Sequence, residues 1–114
     1  MSYGIACRIH GYDAYVFTIS NDRASIERYG AYKRLKEAKI LVNANSTNRL
    51  QAMCASVNGE RAVRLEFWVN GRKAAETTDV DRPLPTGAVG LIVGIDHTKR
   101  VSMAEFDNFT VSRV

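Results

Sequence analysis

Apolar and polar positions alternate along most of this chain. Tyr3, Ile5, Cys7 and Ile9 alternate with Gly4, Ala6, Arg8 and His10, a period of two that predicts a half-buried strand. Gly11-Tyr12-Asp13 breaks the pattern, and Tyr15, Phe17 and Ile19 predict a second strand closed by Asn21-Asp22. A third runs from Ala24 to Tyr29 and stops at Gly30. Lys33 to Val42 is ambiguous. Its Lys, Leu, Glu and Ala favour helix locally, but the stretch is short and strands flank it. It reads as a loop with room for one helical turn, and Asn43 to Asn48 as polar loop. Arg49 to Val57 predicts a fourth strand with Leu50, Ala52 and Cys54 on one face. Asn58-Gly59 turns the chain. Val63, Leu65, Phe67 and Val69 then make the inner face of a fifth strand, while Arg64, Glu66 and Trp68 point out. Asn70-Gly71 fits a type I′ hairpin, whose two central residues need positive φ. Lys73 to Thr78 returns as the sixth strand.

Pro83 and Pro85 place Asp79 to Thr86 in a loop. Gly87 to Gly94 is strand-like, with Val89, Leu91 and Val93 on one face and Gly90 and Gly94 on the other. Glycines on one face of a strand mark close packing of another backbone. Asp96 to Arg100 is a polar turn, and Val101 to Val111 predicts a closing strand. There Phe106 has one parity and Phe109 and Val111 the other, so both faces are covered or a bulge at Asp107-Asn108 shifts the register. About eight short strands, with turn signals roughly every 8–12 residues, predict an all-β antiparallel sandwich. At 114 residues, residues 1–114 make one domain.

Composition narrows the picture modestly. The net charge of +4 favours polyanions weakly and non-specifically. Arg28, Lys33, Arg34, Lys36 and Lys39 cluster, but Glu27 and Glu37 dilute them, which reads as a solvated face and not a specific nucleic-acid patch. No apolar run approaches the roughly 20 residues of a membrane helix. Met1-Ser2-Tyr3-Gly4 does not open a signal peptide. Cys7 and Cys54 belong to no CxxC or Cys/His cluster, so a zinc site has no support. Both share parity with apolar neighbours, which fits two buried free thiols or a disulfide between neighbouring strands.

Catalytic candidates are thin. His10 lies on a polar parity, His97 sits in a turn, and no motif places either beside a Ser or Cys. Asp13, Asp22, Asp79, Asp81, Asp96 and Asp107 are mostly turn residues, whose side chains satisfy local backbone groups. Asn45-Ser46-Thr47 and Asn108-Phe109-Thr110 match the glycosylation pattern and read as accidental.

The order of pieces carries a resemblance. Gly4-Ile5-Ala6-Cys7-Arg8, Tyr15-Val16-Phe17-Thr18-Ile19, Asn48 to Cys54, Phe67-Trp68-Val69-Asn70-Gly71, Gly87-Ala88-Val89-Gly90-Leu91 and the closing Phe106-Asp107-Asn108-Phe109-Thr110-Val111 follow one another over nearly the whole chain. This resembles the concanavalin A-like lectin/glucanase jelly roll, in its laminin-G-like and keto-disaccharide-hydrolase-like branch of bacterial surface proteins. The resemblance implies a jelly-roll sandwich, an extracytoplasmic or cell-surface location, and a disulfide joining Cys7 and Cys54. It also implies strands ahead of the Tyr3 to Ile9 segment, which this chain lacks. The domain is therefore expected to be partial, to expose an edge and to associate, as a homodimer or with completing strands. Glucanase members carry a Glu-x-Asp-x-x-Glu run that has no match here, so no catalytic residue is carried over. Calcium is open through Asp79, Asp81 and Asp96, without diagnostic spacing.

The expected function is a non-catalytic module that binds glycan or cell-surface polymer. Sugar rings stack on aromatic planes edged by hydrogen-bonding groups. Trp68, the sole tryptophan, points outward beside Arg64 and Glu66, and Tyr12, Tyr29 and Tyr32 lie in or near loops. Burial of Trp68 beneath a loop or further strand is the bland alternative. Two rival functions remain: a divergent glycoside-cleaving domain, and a structural interaction domain of a larger surface protein.

Overall fold

The structure is a computed structural model that describes residues 2–41, 47–94 and 109–112. These residues form β1 (Ser2–His10), β2 (Asp13–Ser20), β3 (Arg23–Tyr29), β4 (Lys33–Lys39), β5 (Leu50–Val57), β6 (Ala62–Val69), β7 (Arg72–Asp79) and β8 (Ala88–Gly94). The strands pair into two antiparallel sheets, β4-β3-β2-β1-β8 and β5-β6-β7. The smaller sheet lies over the larger, with β5 across β1 and β7 across β4 and β3. The chain is an all-β sandwich. Among the described residues no helix is long and apolar enough to cross a membrane.

The core follows from parity. Tyr15, Phe17 and Ile26 of the larger sheet meet Leu65, Phe67 and Val63 of the smaller one, all fully buried. Phe17 and Phe67 touch edge to face across the layers, with ring centroids 5.7 Å apart, a favoured aromatic geometry. β2 is buried on both faces. Its outer residues Ala14 and Val16 join Ala6 in a second, smaller cluster.

Four expectations need correction. Most of the Lys33 to Val42 stretch is no loop, because Lys33–Lys39 is a full strand paired with β3, while Ile40 and Leu41 lie beyond it and Val42 is outside the described residues. Local helix propensity amounts to tenths of a kcal/mol per residue, and a complete ladder with β3 outweighs it. The register slips between Ile26 and Glu27, and Leu35 at the slip packs against the core.

Ile9 does not share a face with Cys7. A bulge falls between Cys7 and His10, with Arg8 at φ 52°. The extra residue reverses the parity beyond it, and Ile9 packs in the outer cluster beside Ile92.

Cys7 and Cys54 are disulfide-bonded, with Cα atoms 6.7 Å apart, but not between neighbouring strands of one sheet. Cys7 is on β1 and Cys54 on β5, so the bridge staples the two sheets. Gly90 likewise faces the Ile9 side chain and not another backbone.

Several expectations lie outside the described residues: the polar turn at Asp96 to Arg100 with His97, most of the Asn43 to Asn48 loop, Phe106, Asp107 and Asn108, and with them the asparagine of each glycosylation pattern. The closing strand is expected over Val101 to Val111. Its 101–108 part lies outside as well, and 109–112 form no strand, since no described strand edge pairs with them.

Candidate ligand-binding face

The inward set Val63, Leu65, Phe67 and Val69 forces Arg64, Glu66 and Trp68 onto the solvent face of β6. The three expected site residues therefore stand in one row. Register adds their neighbours. β5 places Gln51 opposite Trp68 and Met53 opposite Glu66. β7 places Lys73 opposite Trp68 and Glu76 opposite Glu66.

Charge fixes this face. Arg64 donates from Nε to Glu66 Oε2 at 3.0 Å and from Nη2 to Glu76 Oε2 at 2.6 Å. Lys73 Nζ donates to Glu76 Oε2 at 2.9 Å and sits 3.8 Å from Glu66 Oε1. Trp68 Nε1 donates to Glu66 Oε1 at 3.2 Å, and the Lys73 ammonium stands 5.7 Å from the indole centroid, within cation–π range. Trp68 is half-buried, so it lies neither beneath a covering layer nor free in solvent.

The protonation states limit the chemistry. The hydrogen bond from Arg64 holds the Glu66 carboxyl below the usual carboxylate range, helped by Trp68 and the Lys73 charge against partial burial. Hydrogen bonding to Lys73 and its charge do the same for Glu76. The Arg64 guanidinium is pushed up, first by its bond to Glu66. Glycoside cleavage by a carboxyl pair needs one member held protonated as general acid. The shifts favour the ionised form of both Glu66 and Glu76, so neither is held protonated as that general acid would be. Glu76 and Lys73 escape sequence reading as site members, although the Asn70-Gly71 turn already sets Lys73 opposite Trp68.

A second polar cluster lies at the end of the sandwich where β7 leaves the sheet. Asp79 Oδ2 accepts from Tyr15 Oη at 2.7 Å and Arg28 Nη1 at 2.9 Å, and its Oδ1 accepts from Asp81 N at 3.1 Å. Tyr15 Oη accepts from Leu84 N at 2.9 Å, and Arg28 Nη1 also donates to the Asp81 carbonyl. Arg8 Nη1 and His10 Nε2 donate to the carbonyls of Leu84 and Pro85. Asp79 thus plays the expected turn role and also anchors the whole 79–85 loop. Burial pushes the Tyr15 hydroxyl up to about 12, with Leu84 N–H opposing and Asp79 adding to the rise. Arg28 Nε is the one buried side-chain polar atom among the described residues without a partner.

Beside this cluster is a pocket of about 180 Å³ lined by Arg28, Ala31, Lys33, Asp79, Asp81 and Arg82. Tyr12 and Tyr32, 95 % and 91 % exposed, sit in the β1–β2 and β3–β4 turns at the same end. Among the described residues no group of three or more His, Cys, Asp or Glu could hold a metal ion. Asp79 is committed to Arg28 and Tyr15, and Asp96 lies outside the described residues.

No family model, curated protein or solved structure matches this chain.

Proposed function

We propose that the chain is a non-catalytic recognition module of concanavalin A-like jelly-roll type, binding a glycan or cell-surface polymer through the outer face of β5-β6-β7. Trp68 is the stacking plane, with Arg64 and Glu66 at its edge. One observation carries the reading: the indole is held in place by the chain's own groups, Glu66 at its N–H and Lys73 at its ring. A platform ordered before binding spares the ligand the entropy of ordering it, and a strand positions side chains more precisely than a loop does. The surrounding ionised groups offer several donors and acceptors to hydroxyls.

Because Trp68 is the sole tryptophan, its fluorescence reports the site directly. Soluble glycans selected on a glycan array should change that emission on titration, and Trp68→Ala should weaken binding by about tenfold or more, the worth of one good aromatic contact. The exposure of Tyr12 and Tyr32 beside the Arg28 pocket favours a second reading, in which the loop end binds. Binding that survives Trp68→Ala and disappears in the Tyr12→Ala/Tyr32→Ala pair moves the site there. No binding to any array glycan overturns the glycan reading.

A further inference from the structure

The pocket of about 180 Å³ at the loop end of the sandwich sets three cations, Arg28, Lys33 and Arg82, against two carboxylates, Asp79 and Asp81. Register brings two of the cations together. Arg28 is opposite Lys33 in the β3–β4 ladder, and opposite residues point to the same face. Arg28 shares the parity of Ile26, which is fully buried in the core, so both cations project toward the smaller sheet. Arg82 comes from the loop after β7. Asp79 is already spent, since its oxygens accept from Tyr15, Arg28 and Asp81 N. Arg28 is largely buried, and its Nε has no acceptor. Lys33 and Arg82 form no hydrogen bond or ion pair among the described residues. Asp81 is thus the one lining carboxylate still unpaired, against two unpaired cations. All the lining residues are described, and the chain leaves the described residues after Leu41 and Gly94. Both points are at the other end of the sandwich, where Arg23 pairs with Lys39 and Ser2 with Gly94.

We propose that this pocket binds an oxyanion, a carboxylate, sulfate or phosphate group. The excess of cations selects the sign of the ligand. The Arg82 guanidinium offers parallel N–H donors that match such a group, and Lys33 adds a rotatable point charge. Asp79 holds Arg28 in position, so its charge is in place before the ligand arrives. Size selects the rest. Pockets that enclose a drug-sized ligand run to about 300–1,000 Å³, so this one takes a single group, as a free ion or as the end of a larger ligand. Both walls also carry a bulky residue in the left-handed region, Tyr32 at φ 50° between Ala31 and Lys33, and Arg82 at φ 45°. Such strain collects at ligand sites. The site is independent of the Trp68 face, because Asp79 pairs with Val63 at the start of β6 and Trp68 lies near its end.

Amide NMR of the full chain, titrated with sodium sulfate and separately with sodium acetate, tests this. Sodium chloride keeps the ionic strength constant, so that general screening stays the same throughout. The amide signals of Ala31, Lys33 and Arg82 should shift and saturate. Saturation at lower sulfate than acetate supports a tetrahedral group in the pocket, and the reverse order supports a carboxylate. Arg82→Gln and Lys33→Gln should each weaken binding about tenfold, the worth of one charge-assisted hydrogen bond. Asp81→Asn should tighten it. Lys36→Gln removes the same charge from β4 outside the pocket and should leave binding unchanged. All four side chains are exposed, so none of these substitutions opens the core. Shifts that never saturate with either ion, or shifts confined to residues away from the pocket, overturn the proposal. Equal weakening by Lys33→Gln and Lys36→Gln also overturns it, since that is the behaviour of a diffuse basic surface.

Discussion

At the scale of single residues, Tyr15 carries the clearest pH signature. It is fully buried, and its hydroxyl joins Asp79 and Leu84 N. In the folded chain it titrates at about 12, against about 10 in an unfolded one. Folding therefore favours the neutral phenol. That contribution is complete below pH ~10 and is lost as the pH rises through about 12, at roughly 1.4 kcal/mol per unit of difference. Tyr15→Phe should cost about 1–3 kcal/mol near neutrality, because Leu84 N–H is left buried without an acceptor. It should also lack the alkaline loss. Urea unfolding of both proteins at pH 8 and near pH 11 checks this. Parallel pH curves would mean that Tyr15 does not titrate in this window. The Glu66 and Glu76 carboxylates work in the opposite direction. Held below their ordinary range, they favour the folded state above it and lose that contribution as pH falls through their folded values. The effect is small and salt-sensitive, since the pairs are near solvent.

At the scale of elements, two glycines separate backbone conformation from packing. Gly71 sits at φ +80° in the β6–β7 turn with open space around its missing Cβ. Gly71→Ala therefore meets only the cost of the left-handed conformation, about 1–2 kcal/mol. Gly4 on β1 has no such conformation, but a Cβ there would run into the Phe17 carbonyl of β2. Backbone cannot step aside as a side chain does, and overpacking typically costs about 1–3 kcal/mol, occasionally more. Gly4→Ala should accordingly equal or exceed Gly71→Ala in a denaturant midpoint comparison. The reverse order would show that β1 and β2 separate easily. The bulges matter as much as the turns. Counted back from Asn70-Gly71, an unbroken hairpin would set Ala75 opposite Glu66. The shift between Phe67 and Trp68 sets Glu76 there instead, and the Arg64–Glu76 and Lys73–Glu76 bonds depend on it.

At the scale of the whole molecule, the Cys7–Cys54 bridge closes a separation of 47 residues and joins the two sheets. β5 has a strand neighbour on one side only among the described strands, so the bridge is its second anchor. Reduction, or Cys7→Ser with Cys54→Ser, should lower stability by about 2–4 kcal/mol through the entropy of the unfolded chain. Guanidinium unfolding with and without reductant measures it. An unchanged midpoint would mean that the sheets hold together without the staple. Freed from it, β5 should show faster hydrogen exchange than β6, which is paired on both sides.

The sequence by itself determined the strands whose side chains alternate cleanly, and hence the all-β sandwich. It set the outward row Arg64, Glu66 and Trp68, because a two-residue period leaves no choice once Val63, Leu65, Phe67 and Val69 go inside. The Asn70-Gly71 turn was equally legible, since few residue pairs accept its φ angles. Other features depended on partners far away in the chain. β4 is a strand because β3 offers it a ladder, against its local propensity. Ile9 turns outward because of the bulge at Arg8. Cys7 meets Cys54 because one sheet lies on the other. Glu76 reaches the Trp68 face through a register shift of one residue. Parity and turn chemistry act over a few residues and can be read along a chain. Register, bulges and the stacking of sheets are settled by the energy of the assembled core, and only the tertiary structure decides them.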